Sequence, residues 1–236
     1  MAMLVAASCV ASSHAATVVG VGYDLLRTAP GTQFMGQPFT GVPIGIFDFG
    51  GSIGVQNLGL TDTLIYRSAP VETPLPDTVP IEIVALQLMS VNPIDLGAGL
   101  GTHYITLQSA RGGPASAGTV TVDNTTFDNA FSVFYDVRFG ALNGPIILSD
   151  VLDFTGSGLW SHDAEPGTFL IDGVNHLLNG VDISTDFHLA GPVTHIDNSG
   201  PGHAHIVIST PEPQHYALGA VLGLLAFAGY RRLRLG

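Results

Sequence analysis

The sequence predicts an all-β body, an antiparallel β-sandwich of jelly-roll type, followed by one C-terminal hydrophobic helix. Three observations lead there. Apolar and polar side chains alternate in several segments. Over residues 131–139, Phe131, Val133, Tyr135, Val137 and Phe139 share one face, with Ser132, Asp136 and Arg138 on the other and Phe134 as the exception. Over residues 181–189, Val181, Ile183, Thr185, Phe187 and Leu189 oppose Asp182, Ser184, Asp186 and His188. A period of two is that of a half-buried strand. Turn dipeptides punctuate these runs: Gly112-Gly113, Asn143-Gly144, Asp172-Gly173 and Asn179-Gly180. No stretch of the body carries a helical apolar stripe, and the solvated face implied by the alternation is foreign to a parallel α/β sheet.

In chain order, strands are expected over residues 17–23, 51–58, 81–91, 103–109, 119–123, 131–139, 146–152, 167–171, 181–189 and 204–209. About ten short strands at this spacing fit a sandwich. Residues 69–80 hold four prolines in twelve positions. They read as a stiff loop inside one domain, because the residues before them are few for an independent core. Residues 16–210 therefore form one extracellular β domain, flanked by a signal peptide (1–15) and a sorting segment (211–236).

Composition narrows the function classes. Charged residues are 11% of the chain and the net charge is −12, with no lysine. A typical domain carries roughly 25% charged residues, so the surface must be built from Ser, Thr, Asn, Gly and Asp. Between residues 17 and 210 there are four arginines against eighteen carboxylates. Such a body repels phosphate backbones, which argues against nucleic acid as a partner. The single cysteine, Cys9, lies in the leader, so the mature chain has no thiol for a disulfide, a thiolate zinc site or a nucleophile.

Both ends read as addresses. Residues 3–10 are a short apolar run, and Ser13-His14-Ala15 supplies small residues for cleavage after Ala15. At the other end, Pro211 and Pro213 hold an extended spacer carrying Glu212. Residues 216–230 follow without a charge, bracketed by Tyr216 and Tyr230, and Arg231, Arg232 and Arg234 come next. As a helix this run spans roughly 22 Å at 1.5 Å per residue, against a hydrocarbon core of roughly 30 Å. Its leucines, valine and phenylalanine contribute only about −2 to −4 kcal/mol of insertion, which makes it a marginal anchor. Arginines stay on the cytoplasmic side, so the body lies outside.

This order (Pro-Glu-Pro, apolar segment, basic cluster) resembles the PEP-CTERM sorting signal of Gram-negative bacteria that make exopolysaccharide. The resemblance covers about 26 residues. It implies export, a transient inner-membrane anchor, recognition and cleavage near Pro211-Glu212-Pro213 by an exosortase, and delivery to the cell surface or extracellular matrix.

Within the body, three pairs two residues apart could ligate zinc, nickel or copper if neighbouring strands bring them together: His203 and His205, Asp186 and His188, His195 and Asp197. The spacing is generic, and the simpler reading of each pair is a solvated strand face. Asp123-Asn124 with Asp128-Asn129 could offer oxygen ligands to Ca²⁺, although Asx turns use the same residues. No bound cofactor is required by any of these. Asp163 and Glu165 beside Trp160 and His162 have the residue types of a glycosidase cleft; no nucleophile elbow, zincin or nucleotide motif occurs. Three functions follow as expectations. One is a non-enzymatic surface or matrix protein. Another is a binding module for the organism's own exopolysaccharide, with Trp160, Tyr104 and Tyr135 as its aromatic platform. The third is a secreted hydrolase.

Overall fold

Each long strand of the body pairs with the next one in sequence, and the last pairs with the first. The computed structural model describes residues 15–176, 183–197 and 202–212. Its eight principal strands are β1 (Gly22–Thr28), β2 (Thr63–Arg67), β3 (Asp77–Ser90), β4 (Ser116–Val122), β5 (Thr126–Phe139), β6 (Ile146–Ser161), β7 (Val193–Asp197) and β8 (Ala204–Ser209). All eight pairings are antiparallel, and β8 closes onto β1 through Val207↔Thr28, Ile208↔Arg27 and Ser209↔Leu26. The fold is an eight-stranded up-and-down barrel.

The all-β, antiparallel class agrees with the sequence. The jelly-roll sandwich does not, because the connections run between neighbours and never cross from one sheet to another. The long strands explain the closure. β3, β5 and β6 have 14, 14 and 16 residues, and strands of that length twist strongly. The first part of β3 pairs with β2 and β4, and its last part pairs with Gln37–Gly41 and His103–Leu107. His103–Leu107 and β4 lie end to end along the same side of β5. The expected C-terminal helix over 216–230 and the leader before Ala15 lie outside the described residues.

Inward positions alternate along every strand, as closure requires. Leu26, Ile65, Ile81, Ile83, Val120, Val122, Phe127, Phe131, Val133, Phe154, Val193 and Val207 share one buried cluster. Phe34 packs edge-on against Tyr135 and Phe39 toward one end, and Trp160 stacks on Phe187 toward the other. A second, smaller cluster sits outside the barrel wall. Leu25 and Leu64 point outward and are covered by Leu58, Val174 and the hairpin of Ile46–Asp48 with Val55–Asn57, whose Phe47 and Phe49 pack on them.

Several expected elements are redrawn. The proline-rich segment joins β2 to β3 and pairs back on Thr17–Val19, with Val71 fully buried in the main cluster. The strand expected over 51–58 is confined to Val55–Asn57. Residues 167–171 form no strand and make one bridge, Thr168↔Pro211. Of the expected strand 181–189, residues 183–189 are described; among these Ile183–Thr185 is a 3-10 turn and only His188–Leu189 is extended. Alternation fails there because Asp186, Phe187, His188 and Leu189 are all buried. β6 outruns its expected end at residue 152 because Gly156 and Gly158 face inward beneath neighbouring side chains. A Cβ on Gly156 would lie 2.6 Å from His195 Cδ2, and one on Gly158 2.8 Å from Val193 Cγ2.

Candidate functional site

The barrel interior holds a polar sector. Register places Asn129, Gly156, His195 and His205 side by side across β5 to β8. Gly156 leaves room there for the His195 ring and the Asn129 amide. His205 Nε2 lies 3.1 Å from Thr28 Oγ1, and that hydroxyl donates to Asp62 Oδ1 at 2.7 Å. Asp62 also accepts from the Thr28 amide at 2.8 Å and from the Thr63 hydroxyl at 2.8 Å. Burial raises the Asp62 carboxyl to about 6 against these hydrogen bonds. Burial lowers His195 to about 4 and His205 to about 3, with the His195 charge adding to the latter. The two cavities beside this sector are about 20 Å³ each. That is room for a water, not for an organic ligand, whose pockets measure roughly 300–1,000 Å³.

A second cluster lies at the end of the barrel where Trp160 and Phe187 stack. The turn after Ile171 is shaped by Asn175, which accepts from the Ile171 amide at 2.8 Å and donates to the Phe169 carbonyl at 3.0 Å. This turn presents His176. The Ile183–Thr185 turn is held when the Gly20 amide donates to the Thr185 carbonyl at 2.8 Å, and it presents Asp186. His188 follows on the two-residue strand paired with Trp160–Ser161. One ligating atom from each of His176, Asp186 and His188 falls within 4.8 Å of the other two. His176 Nδ1 is 2.6 Å and His188 Nε2 4.0 Å from Asp186 Oδ2. Desolvation lowers the His188 pKa, partly offset by Asp186. Two imidazoles and a carboxylate make a donor set for a first-row transition ion.

On the outside of β4 to β7 runs an open trough of about 490 Å³ lined by Thr119, Thr121, Asp128, Thr155, Ser157 and Thr194. Cross-strand pairing aligns Thr121, Asp128, Ser157 and Thr194 in one row. This is the hydroxyl-rich, charge-poor surface that the composition demands.

The sequence-derived candidates divide clearly. Asp186 and His188 do meet, joined by His176, which spacing alone did not single out. His195 and His205 are neighbours, with ring centroids 6.3 Å apart, whereas His203 sits edge-on to Phe34 at the barrel rim. The oxygen-rich pairs do not form one cation pocket. Asp123 Oδ1 accepts from the Asn124 amide at 2.8 Å in the β4–β5 turn, while Asp128 faces solvent and Asn129 faces inward. The aromatic platform fails: Tyr135 and Trp160 are buried, and Trp160 Nε1 donates to the Asp123 carbonyl at 2.8 Å. Asp163 and Glu165 are exposed, and the Glu165 carbonyl caps Thr168.

The chain leaves the barrel at the same end. Phe169 donates its amide to the Thr210 carbonyl at 2.6 Å, and Glu212 donates to the Gly167 carbonyl at 2.7 Å. Pro211 and Glu212 therefore lie half-exposed along the 165–171 loop. Pro213, Arg231, Arg232 and Arg234 lie outside the described residues. Ala15 is exposed, and Ala16 is tied to Thr73 by a pair of hydrogen bonds of 2.9 Å.

The fold and these sites define an antiparallel up-and-down barrel with a packed interior and with Pro211 and Glu212 docked along one loop. Comparison with family models, with curated proteins and with solved structures gives no match. Among the described residues, no helix is long and apolar enough to cross a membrane.

Proposed function

We propose that the chain is an exported protein of the cell surface or extracellular matrix, with a structural or adhesive rather than catalytic role, sorted by a PEP-CTERM signal and processed by an exosortase. The observation that carries this reading is the ordered sequence after the barrel: Pro211-Glu212-Pro213, an apolar run, then Arg231, Arg232 and Arg234. Three features support it. The barrel encloses a large apolar core, and the described residues hold no cysteine. Among the described residues, the two cavities beside its polar sector are only about 20 Å³ each. Pro211 and Glu212 sit at the surface, where a membrane-embedded peptidase could reach them once the loop yields.

A second reading, binding to the organism's own exopolysaccharide, is favoured by the polar trough on β4 to β7. Hydroxyl and carboxylate groups in a row can hydrogen-bond a glycan without aromatic stacking. One cell-fractionation experiment addresses both. With the native tail, the barrel is expected in the surface and matrix fraction. With Arg231, Arg232 and Arg234 changed to alanine, it is expected to stay with the cells. Equal matrix amounts for both chains would contradict the sorting role. Blocking the trough with Thr155→Tyr distinguishes the readings: release of the processed barrel from the polysaccharide supports glycan binding, and unchanged retention leaves the sorted structural role alone.

A further inference from the structure

We propose that His176, Asp186 and His188 form a binding site for one zinc-like divalent transition ion, which clamps the 165–176 loop to the barrel. The three side chains come from two pieces of backbone: His176 from the turn after Ile171, and Asp186 and His188 from the segment that runs from the 3-10 turn into the short strand. Their ligating atoms nonetheless converge within 4.8 Å. A tetrahedral zinc ion with ligand bonds of roughly 2.0–2.1 Å separates its ligand atoms by roughly 3.3 Å. The present distances of 2.6 and 4.0 Å to Asp186 Oδ2 bracket that value. Small rotations of the imidazoles suffice to equalise them.

A second observation points to a ligand. His188 is 4% exposed, and its Nε2 and His176 Nδ1 are both buried without a hydrogen-bond partner. The close His176–Asp186 approach lies within ion-pair distance but does not form a hydrogen bond. Buried polar nitrogens left unpaired are costly. Two of them aimed at one carboxylate are what a cation between them would satisfy. The surroundings hold the carboxylate segment in place: the Asp186 carbonyl lies 2.8 Å from His162 Nδ1. The nearby cation, Arg67, is paired with Asp24 at 3.4 Å. Imidazole nitrogen selects transition ions over Mg²⁺ and Ca²⁺, which prefer all-oxygen shells. Three protein ligands leave a further coordination position for solvent.

The site also has a mechanical consequence. The loop carrying His176 is the one on which the exit segment lies, through Phe169 with Thr210 and Gly167 with Glu212. An ion joining His176 to Asp186 and His188 ties this loop to the segment that anchors Trp160. Metal occupancy therefore slows opening of the loop and of the Pro211–Glu212 segment docked on it.

The test is titration of the metal-free full-length chain in detergent with Zn²⁺, read by a chromogenic chelator in competition and by Co²⁺ substitution. Expected are one saturable Zn²⁺ per chain, no response to Mg²⁺, and a visible Co²⁺ spectrum of low coordination number. At zinc about a hundredfold above Kd, the melting temperature is expected to rise by roughly 5–10 °C. Amide exchange at Phe169 and Glu212 should slow with it. H176A and H188Q should each abolish stoichiometric binding, while His162→Ala should retain it. Because H188Q changes a buried residue, H176A at the less buried position carries the comparison if the other does not fold. Absence of saturable Zn²⁺ binding to the native chain, or binding that survives in H176A, overturns the proposal.

Discussion

Acidification from about pH 6.5 to about pH 4 is expected to cost the barrel roughly 3 kcal/mol of stability, most of it through His195 and His205. Both are buried and held neutral, with folded pKa values of about 4 and about 3 against 6.5 for the free side chain. As pH falls below 6.5 the unfolded chain takes up protons that the folded barrel refuses, so stability falls. By pH 4 each histidine costs about 3 kcal/mol at 1.36 kcal/mol per unit. Asp62 works in the opposite sense. Its folded value of about 6 lies above the ordinary aspartate value of 3.8, so the folded state binds the proton first. Its contribution is present below 3.8 and lost as pH rises through 6; on acidification it returns about 3 kcal/mol. Asp136, whose pKa is lowered by its hydrogen bonds from Arg111, adds a further loss only below 3.8. Typical domains are stable by 5–15 kcal/mol, so the net loss is a large fraction. Urea unfolding followed at a series of pH values measures it. In His205→Leu the net acid loss should nearly vanish, because the remaining His195 cost and the Asp62 return are about equal, while Asp62→Asn should roughly double it. A stability that is flat from pH 7 to pH 4 would contradict the buried polar sector.

Gly118→Val is expected to remove about 4 kcal/mol or more, enough to prevent barrel formation under ordinary conditions. Gly118 faces inward on β4 between Ile81 and Phe131. A Cβ there would overlap the carbonyl oxygen of Ala130 and sit 2.9 Å from Phe131 Cα. Both are backbone atoms of the neighbouring strand and cannot rotate away, unlike the end of a flexible side chain. Relief would require β4 and β5 to part, which breaks the ring of hydrogen bonds that closes the barrel. The outward neighbour Ala117 is exposed, and Ala117→Val should stay within about 0.5 kcal/mol of the parent. Circular dichroism and urea midpoints for the pair measure the difference. Equal stability for both variants would mean that the strands do not approach as closely as described.

The alternation from Phe131 to Phe139 was legible because each inward residue of that stretch is a large apolar group. Local pattern could not distinguish barrel from sandwich. Both architectures use the same alternation and the same tight turns, and closure depends on the long-range pairing of Val207 with Thr28. β7 was missed for a physical reason: its inward set is Val193, His195 and Asp197, so two of three core positions are polar. The second half of β6 was hidden by Gly156 and Gly158, whose missing side chains make room for His195, Asn129, Phe127 and Val193. Among the ligand pairs, Asp186 and His188 were visible by spacing. His176 was not, because its approach depends on the Asn175 turn and not on any shared strand. The aromatic platform assigned from sequence was wrong for Tyr135 and Trp160, since ring type alone does not say which face of a strand is wet.

We propose that this barrel is delivered outside the cell and loses the segment that follows it. Intact-mass measurement of the protein recovered from the surface and matrix fraction tests it most directly. The expected mass is that of a chain starting at residue 16 and ending near Pro211, without the apolar run and its arginines. A full-length chain recovered only from the cytosol would contradict the account.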